Sequence, residues 1–96
     1  MTNYVYSRYD KLEGLYAPPF IAANDDVACR TFAYLYGVPG KAEKATYHFV
    51  RLGVFNNETG ALESSDIFLL DTVFDQFIEA LNLASTEDVG DGKTLV

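Results

Sequence analysis

One segment limits the folds open to this chain more than any other. Residues 46–55, Thr-Tyr-His-Phe-Val-Arg-Leu-Gly-Val-Phe, are rich in β-branched and aromatic side chains and form its strongest strand. The run Asn56-Asn57-Glu58-Thr59-Gly60 is a turn, and Ala61 to Ser64 is expected to return antiparallel. A second β-segment opens the chain. Residues 3–9 read as a strand, Asp10 to Gly14 as a loop, and residues 15–22 as a returning strand. Pro18 and Pro19 have no N–H for a ladder, so that return belongs at an edge or ends early.

Helical signals follow each hairpin. Asn24 is a good N-cap, and Asp25 and Asp26 suit the positive end of a helix dipole. Ala28, Phe32 and Leu35 recur at i, i+4 and i+7 as one buried stripe. Gly37 fits the residue that ends the helix, and Pro39 prevents continuation. Residues 37–45 then read as a flexible basic loop. The apolar run 67–70 is ambiguous in type. Thr72 with Asp75 resembles a capping box, and Phe74, Phe77, Ile78 and Leu81 mark a second buried stripe. The expected fold is α+β, a two-layer ββα-ββα sandwich. Its four-stranded antiparallel sheet carries both helices on one face. Residues 1–83 are expected to form a single domain, with 84–96 a flexible acidic tail.

Composition excludes several classes. Seven Lys+Arg against fourteen Asp+Glu give a net charge of −7, and the sequence pI is near 4.4. An ordinary basic nucleic-acid protein has a pI above about 9. Residues 1–48 carry five basic and five acidic side chains, whereas residues 49–96 carry two and nine. A neutral or positive surface can therefore arise only from the first half together with Arg51. A lone cysteine, Cys29, forms no internal disulfide. One His and one Cys do not supply a common zinc site, and no metal or other cofactor is expected. No apolar run reaches the 18 or so residues of a membrane span, and Met1 to Tyr4 do not open a signal peptide. A soluble intracellular domain is expected.

Strand alternation supplies the candidate site. His48, Val50, Leu52 and Val54 share one face of their strand; Tyr47, Phe49, Arg51, Gly53 and Phe55 share the other. If the aliphatic sets meet the helices, Tyr4, Tyr6 and Arg8 join Tyr47, Phe49 and Arg51 on an uncovered face. Rings on a sheet stack nucleotide bases at roughly 1–3 kcal/mol per base with little regard for sequence. Arg8 and Arg51, with Lys41 and Lys44 from the basic loop, would contact phosphates. The same rings equally suit a dimer interface or a packed core.

Other motifs carry less. Asp71, Asp75 and Glu79 lie along a straight helix and do not converge on a metal ion. His48, on an apolar strand face, reads as a packed histidine, and Cys29 as a small buried hydrophobe. Gly37-Val38-Pro39-Gly40-Lys41 lacks the spacing of a phosphate-binding loop. Glu58 and Glu63 flank a hairpin with nothing to orient them as an acid/base pair. No arrangement supports an enzyme.

Several strings together resemble a known family. They are Tyr9-Asp10-Lys11, Tyr16-Ala17-Pro18-Pro19-Phe20, Asn24-Asp25 with Ala28, Arg30 and Phe32, Arg51-Leu52-Gly53, and Phe55-Asn56-Asn57-Glu58-Thr59-Gly60. The combination resembles the small non-structural protein of gokushovirus-type microviruses, phages with circular single-stranded DNA genomes. The chain departs from that pattern at Arg51, at the second proline, and at Asn56 where Asp is commoner. The resemblance implies a DNA-binding-labelled viral protein acting in the host bacterial cytoplasm, near genome replication or packaging. Single-stranded DNA is then the expected partner of Tyr4, Tyr6, Arg8, Lys41, Lys44, Tyr47, Phe49 and Arg51. A homodimer is expected as well, because one short chain offers a short track and exposed sheet edges. The rival is a protein-binding adaptor for viral or host replication or packaging proteins, acting through the acidic helix and tail. An inhibitor of host defence is a third.

Overall fold

The two long β-segments pair with each other. In the computed structural model, which describes the backbone of residues 2–92 and the side chains of residues 2–82, β1 (Thr2–Asp10) runs antiparallel to β4 (Tyr47–Asn56) along its whole length. On the far side of β4 lies β5 (Leu62–Leu69), and on the far side of β1 lie β2 (Leu15–Tyr16) and β3 (Phe20–Ala22). The expected single strand over 15–22 is thus two short ones. Pro18 and Pro19 fall between them, where missing N–H groups cost no ladder bond. The described residues form an antiparallel α+β structure of five strands and three helices, and the expected four-strand, two-helix order is corrected accordingly.

Helix α1 (Asp25–Tyr36) starts where the sequence places it: the Asn24 side chain accepts from the Val27 N–H at 2.9 Å. It stops at Gly37, whose φ of 79° favours glycine and whose N–H donates to Ala33 O. The buried stripe runs Ala28, Cys29 and Phe32, with Tyr36 next to Phe32 in place of the exposed Leu35. Residues 41–45, expected as part of a flexible loop, and Thr46, expected to open the strand, form a helix, α2 (Lys41–Thr46), begun by Glu43 Oε1 accepting the Gly40 N–H. Helix α3 (Asp71–Gly92) follows β5 directly. Residues 67–70, ambiguous in sequence, complete β5 and supply Leu70 to the core. The acidic tail expected over 84–96 lies outside the residues whose side chains are described.

The core is a ring cluster between sheet and helices. Tyr6 and Phe49 come from the sheet, Ala28, Cys29 and Phe32 from α1, and Leu70 and Phe74 from the start of α3. Phe32 is fully buried, with ring centroids 4.6 Å from Phe49 and 5.0 Å from Phe20. Edge-on contacts of this kind add about 0.5–1.5 kcal/mol per pair beyond simple burial.

The sheet faces are the reverse of the sequence expectation. Tyr4, Tyr6, Arg8, Tyr47, Phe49 and Arg51 do share a side, as the pairs Tyr6–Arg51, Arg8–Phe49 and Asp10–Tyr47 require. That side is the one the helices cover. A bulge also breaks the alternation. Val5 stands opposite Gly53 and Tyr6 opposite Arg51, leaving Leu52 as an extra residue. Beyond it, Val54 joins Tyr4 on the helix side, and Phe55 joins Asn3 on the other.

Gly53 is required by a close approach. A Cβ there would lie 2.3 Å from Glu63 O and 3.1 Å from Ser64 Cα, both backbone atoms of β5. Replacing it, Gly53→Ala, is expected to cost about 1–3 kcal/mol by overpacking. In hydrogen exchange the loss of protection should appear first at Leu62–Leu69; an unchanged β5 would show that the backbones have room to part.

Candidate functional site

The face shared by rings and guanidinium groups divides into three clusters. At its centre Asp25, in the first turn of α1, receives both Arg51 and Tyr6. Arg51 Nη1 donates to both Asp25 oxygens at 2.9 Å, and the Tyr6 hydroxyl donates to Oδ1 at 2.7 Å. The Arg51 guanidinium also lies over the Phe68 ring at 4.6 Å and the Tyr4 ring at 5.3 Å. Aspartate at this point satisfies the helix N-terminus and the guanidinium together. Burial, then the hydrogen bond to Asp25 and its charge, hold the Tyr6 hydroxyl protonated well above the usual phenol range; Arg51 opposes this more weakly. The Cys29 thiol is pushed up from 9.0 to about 11, first by burial and then by Asp26 and Asp25.

The second cluster closes the edge of β4 where β5 ends. Leu70 N donates to Phe49 O at 2.7 Å. Asp71 Oδ1 accepts the Phe49 N–H at 2.8 Å, and Asp71 Oδ2 lies 2.6 Å from His48 Nδ1. A carboxylate only accepts, so Nδ1 carries the proton of that pair. One side chain thereby continues the β-ladder and fixes the start of α3. The sequence expectation puts His48 on the helix-facing side; it lies on the opposite side and reaches Asp71 at the sheet edge.

The third cluster is Arg8. Its guanidinium carbon lies 3.8 Å from the Tyr36 ring centroid and 4.0 Å from that of Tyr47. The rings cover the two faces and leave the in-plane N–H edge as the group's polar outlet. Among the described residues no carboxylate forms an ion pair with it. A depression of about 220 Å³ opens beside Arg8 and Tyr47, with Asp10 and Glu13 on its wall. Asp10 Oδ1 is occupied by the Leu12 and Glu13 N–H groups.

The eight expected contact residues therefore separate. Tyr6 is 0% exposed and Phe49 5%, so neither ring can stack a base in this state. The uncovered stacking platform is corrected: α1 and the start of α3 lie over it. Arg51 is committed to Asp25, with Tyr4 beside it. Lys44 Nζ is 3.3 Å from Asp75 Oδ1, an exposed pair that contributes little. Arg8 and Tyr47 stay together and half-exposed, and Lys41 is exposed on α2. Sequence reasoning alone does not place Asp25, Tyr36 and Asp71 in these clusters. Tyr36 carries a signal, because it stands four residues after Phe32 on the same helix face. Asp25 and Asp71 read from sequence only as a helix-start residue and as part of an acidic stripe.

Among the described residues no group of three or more His, Cys, Asp and Glu is placed to hold a metal ion, and no helix is long and apolar enough to cross a membrane. Residues 3–75 match the family model described as Phage ORF5 protein. No curated protein and no solved structure matches the chain.

Two outcomes follow from the Asp25 cluster. Asp25→Asn removes the charge that holds Arg51 and is expected to cost about 2 kcal/mol in chemical denaturation, since hydrogen bonds to charged groups are worth roughly 1.5–3. A variant as stable as the parent would mean that Arg51 is held by its rings alone. The second outcome concerns alkali. Tyr6 and Cys29 both have folded-state values above their ordinary ones, so both add stability below those values and lose it as pH rises through the shifted ones. The melting temperature should fall from about pH 9.0 upward, and Tyr6→Phe should flatten that fall. An identical alkaline slope in the variant would remove Tyr6 from the account.

Proposed function

The chain belongs to the Phage ORF5 protein family, and on that premise we propose that it is a non-enzymatic phage protein that binds single-stranded DNA with little sequence preference. The observation that carries this reading is the Arg8 clamp. Tyr36 and Tyr47 hold a guanidinium flat and partly out of water, and among the described residues it has no carboxylate partner. Such a group presents parallel N–H donors that suit a phosphate oxygen pair, and its ordering cost is met before the ligand arrives. Lys41, exposed on the neighbouring helix, adds a mobile charge along the same end of the molecule.

The ligand class comes from the resemblance to microvirus non-structural proteins, whose genomes are single-stranded. A single strand also suits an acidic chain better than a duplex, because it demands less neutralisation per contact. The Tyr47 ring edge and Arg8, rather than a broad stacking platform, then give the contact. A function in viral genome replication or packaging within the host bacterial cytoplasm belongs to the same proposal. The adaptor reading is weakened by two of the acidic residues it relies on. Asp71 is occupied by His48 and the Phe49 N–H, and Asp75 pairs with Lys44.

The test is fluorescence-polarisation titration of a labelled oligo-dT with the full chain at low salt. Saturable binding is expected, weakening linearly in log–log with salt at about 0.7 per phosphate contact. Arg8→Lys keeps the charge but loses the flat stacked fork, and should weaken binding about tenfold, the equivalent of about 1.4 kcal/mol. No saturable binding at low salt, or full affinity in both Arg8→Lys and Arg8→Ala, would overturn the proposal.

A further inference from the structure

The pairing registers sort the sheet's side chains into two sets with opposite chemistry. On the helix side lie Arg8, Asp10, Arg51 and Glu63. The other side holds Asn3 with Phe55 and Leu62, Val5 with Ile21, Gly53 and Ser64, Ser7 with Val50 and Leu69, and Tyr9 with Tyr16 and His48. No Asp, Glu, Lys or Arg occurs in those pairs. In a chain of net charge −7, five strands contribute paired positions without a formal charge, and His48 at the rim is held by Asp71. Antiparallel sheets that face water normally alternate apolar-in with polar-out. This sheet places its charges beneath the helices and its aliphatic side chains outside.

The outer set is open along its margins, while Ser7 and Val50 at its centre are each 1% exposed. Leu62 is 67% exposed, Leu69 52% and Ile21 47%. Val5, Pro19, Leu52 and Leu62, with Glu63 and Ser64 on its β5 wall, border a largely apolar groove of about 390 Å³ over β1, β4 and β5. Depletion of charge with retention of aliphatic and aromatic side chains marks the centre of a protein interface, and contiguous apolar patches of this kind seldom stay bare.

We propose that this helix-free face is the contact between two copies of the chain, packed sheet against sheet about a two-fold axis. The proposal does not rest on the DNA reading. Charge decides the partner. Two chains of charge −7 repel over most orientations, and this face brings few charges into the contact, with Glu63 on the groove wall. Geometry agrees, because twisted sheets pack on one another at about 10 Å with their strands nearly aligned, and a two-fold contact needs the same patch on both sides. Ten residues of β4 extend about 33 Å, and four strands span about 19 Å. The outline of such a face is about 600 Å² per copy and about 1,200 Å² in total, comparable with the roughly 1,000 Å² expected of a specific interface. Edge-to-edge pairing through β5 is disfavoured. Against the single bulged Leu52, β5 carries the three residues Ser65, Asp66 and Ile67, which breaks its regular edge and places an acid there.

Sedimentation of the full chain at micromolar concentration tests this. The parent is expected to sediment as a dimer. Leu62→Asp and Ile21→Asp, made separately, are expected to sediment as monomers with unchanged circular dichroism and melting cooperativity, because both side chains are about half or more exposed in the single chain. Glu79→Lys, exposed on α3, should stay dimeric. A monomeric parent, or dimers persisting in both aspartate variants, would overturn the proposal. Should either variant fail to fold, the other decides the matter. Titrating oligo-dT into the monomeric variants separates the two proposals, since Arg8 lies on the other face and its contact survives loss of the dimer.

Discussion

The ring of Phe32 is the constraint on which the other contacts depend. It is fully buried and touches rings from every layer: Phe20 and Tyr6 across β3 and β1, Phe49 on β4, Tyr36 on its own helix and Phe74 on α3. A chain of 96 residues has little aliphatic bulk to spare. Packing its large side chains edge to face concentrates burial at one point, where α1 and α3 both meet the sheet. With this ring in place, Tyr6 and Phe49 must lie beneath the helices, and the arginines that alternate with them along β1 and β4 must lie there as well.

That second consequence governs the electrostatics. Arginine on the covered side of a sheet has to be matched or led to the edge, because an isolated charge is costly to desolvate. The molecule does each once. Arg51 is matched by Asp25, whose helix N-terminus also favours a carboxylate, and the Tyr6 hydroxyl completes that carboxylate's shell. Arg8 is led outward between Tyr36 and Tyr47, which give cation–π contact in place of a counter-charge. The difference between the two arginines is therefore physical. One is part of the structure's own charge balance, and the other retains donors for a partner.

Local signals in the sequence are sound, and the long-range ones are absent. Asn24 caps its helix as expected, the segment expected over 46–55 forms the long strand Tyr47–Asn56, and the turn after it closes its hairpin. The convergence of Tyr4, Tyr6, Arg8, Tyr47, Phe49 and Arg51 on one side is also legible from alternation. Which side faces the helices is not. Rings and aliphatic side chains are both apolar, and the preference for rings comes from Phe32, Phe74 and Asp25, whose strand partners Phe49 and Arg51 are distant in sequence. Gly53 does carry a usable signal. A glycine inside a strong strand points to a bulge or a close approach, and here it marks both. Reading it so moves Val54 and Phe55 to their observed faces. The short helix α2 is hidden in the sequence because Gly37, Pro39 and Gly40 suggest a loop, whereas the helix begins just beyond them, with Glu43 bonding back to Gly40.

The division of the sheet's chemistry follows from the same cause. Once the aromatic and charged positions of β1 and β4 are committed to the helix side, alternation sends Val5, Ser7, Tyr9 and Val50 to the other, and the bulge at Leu52 sends Phe55 there too. No described helix remains for that side: α1 and the start of α3 both pack on the ring cluster, and α2 follows α1 toward the Tyr47 end of β4. The margins of that face, at Ile21, Leu62 and Leu69, are left facing water, while Ser7 and Val50 at its centre are covered. Burying both faces within one chain would take a further layer, which the described residues do not supply. In the proposed dimer a second copy would supply it with the same surface and leave the Arg8 edge on the outside.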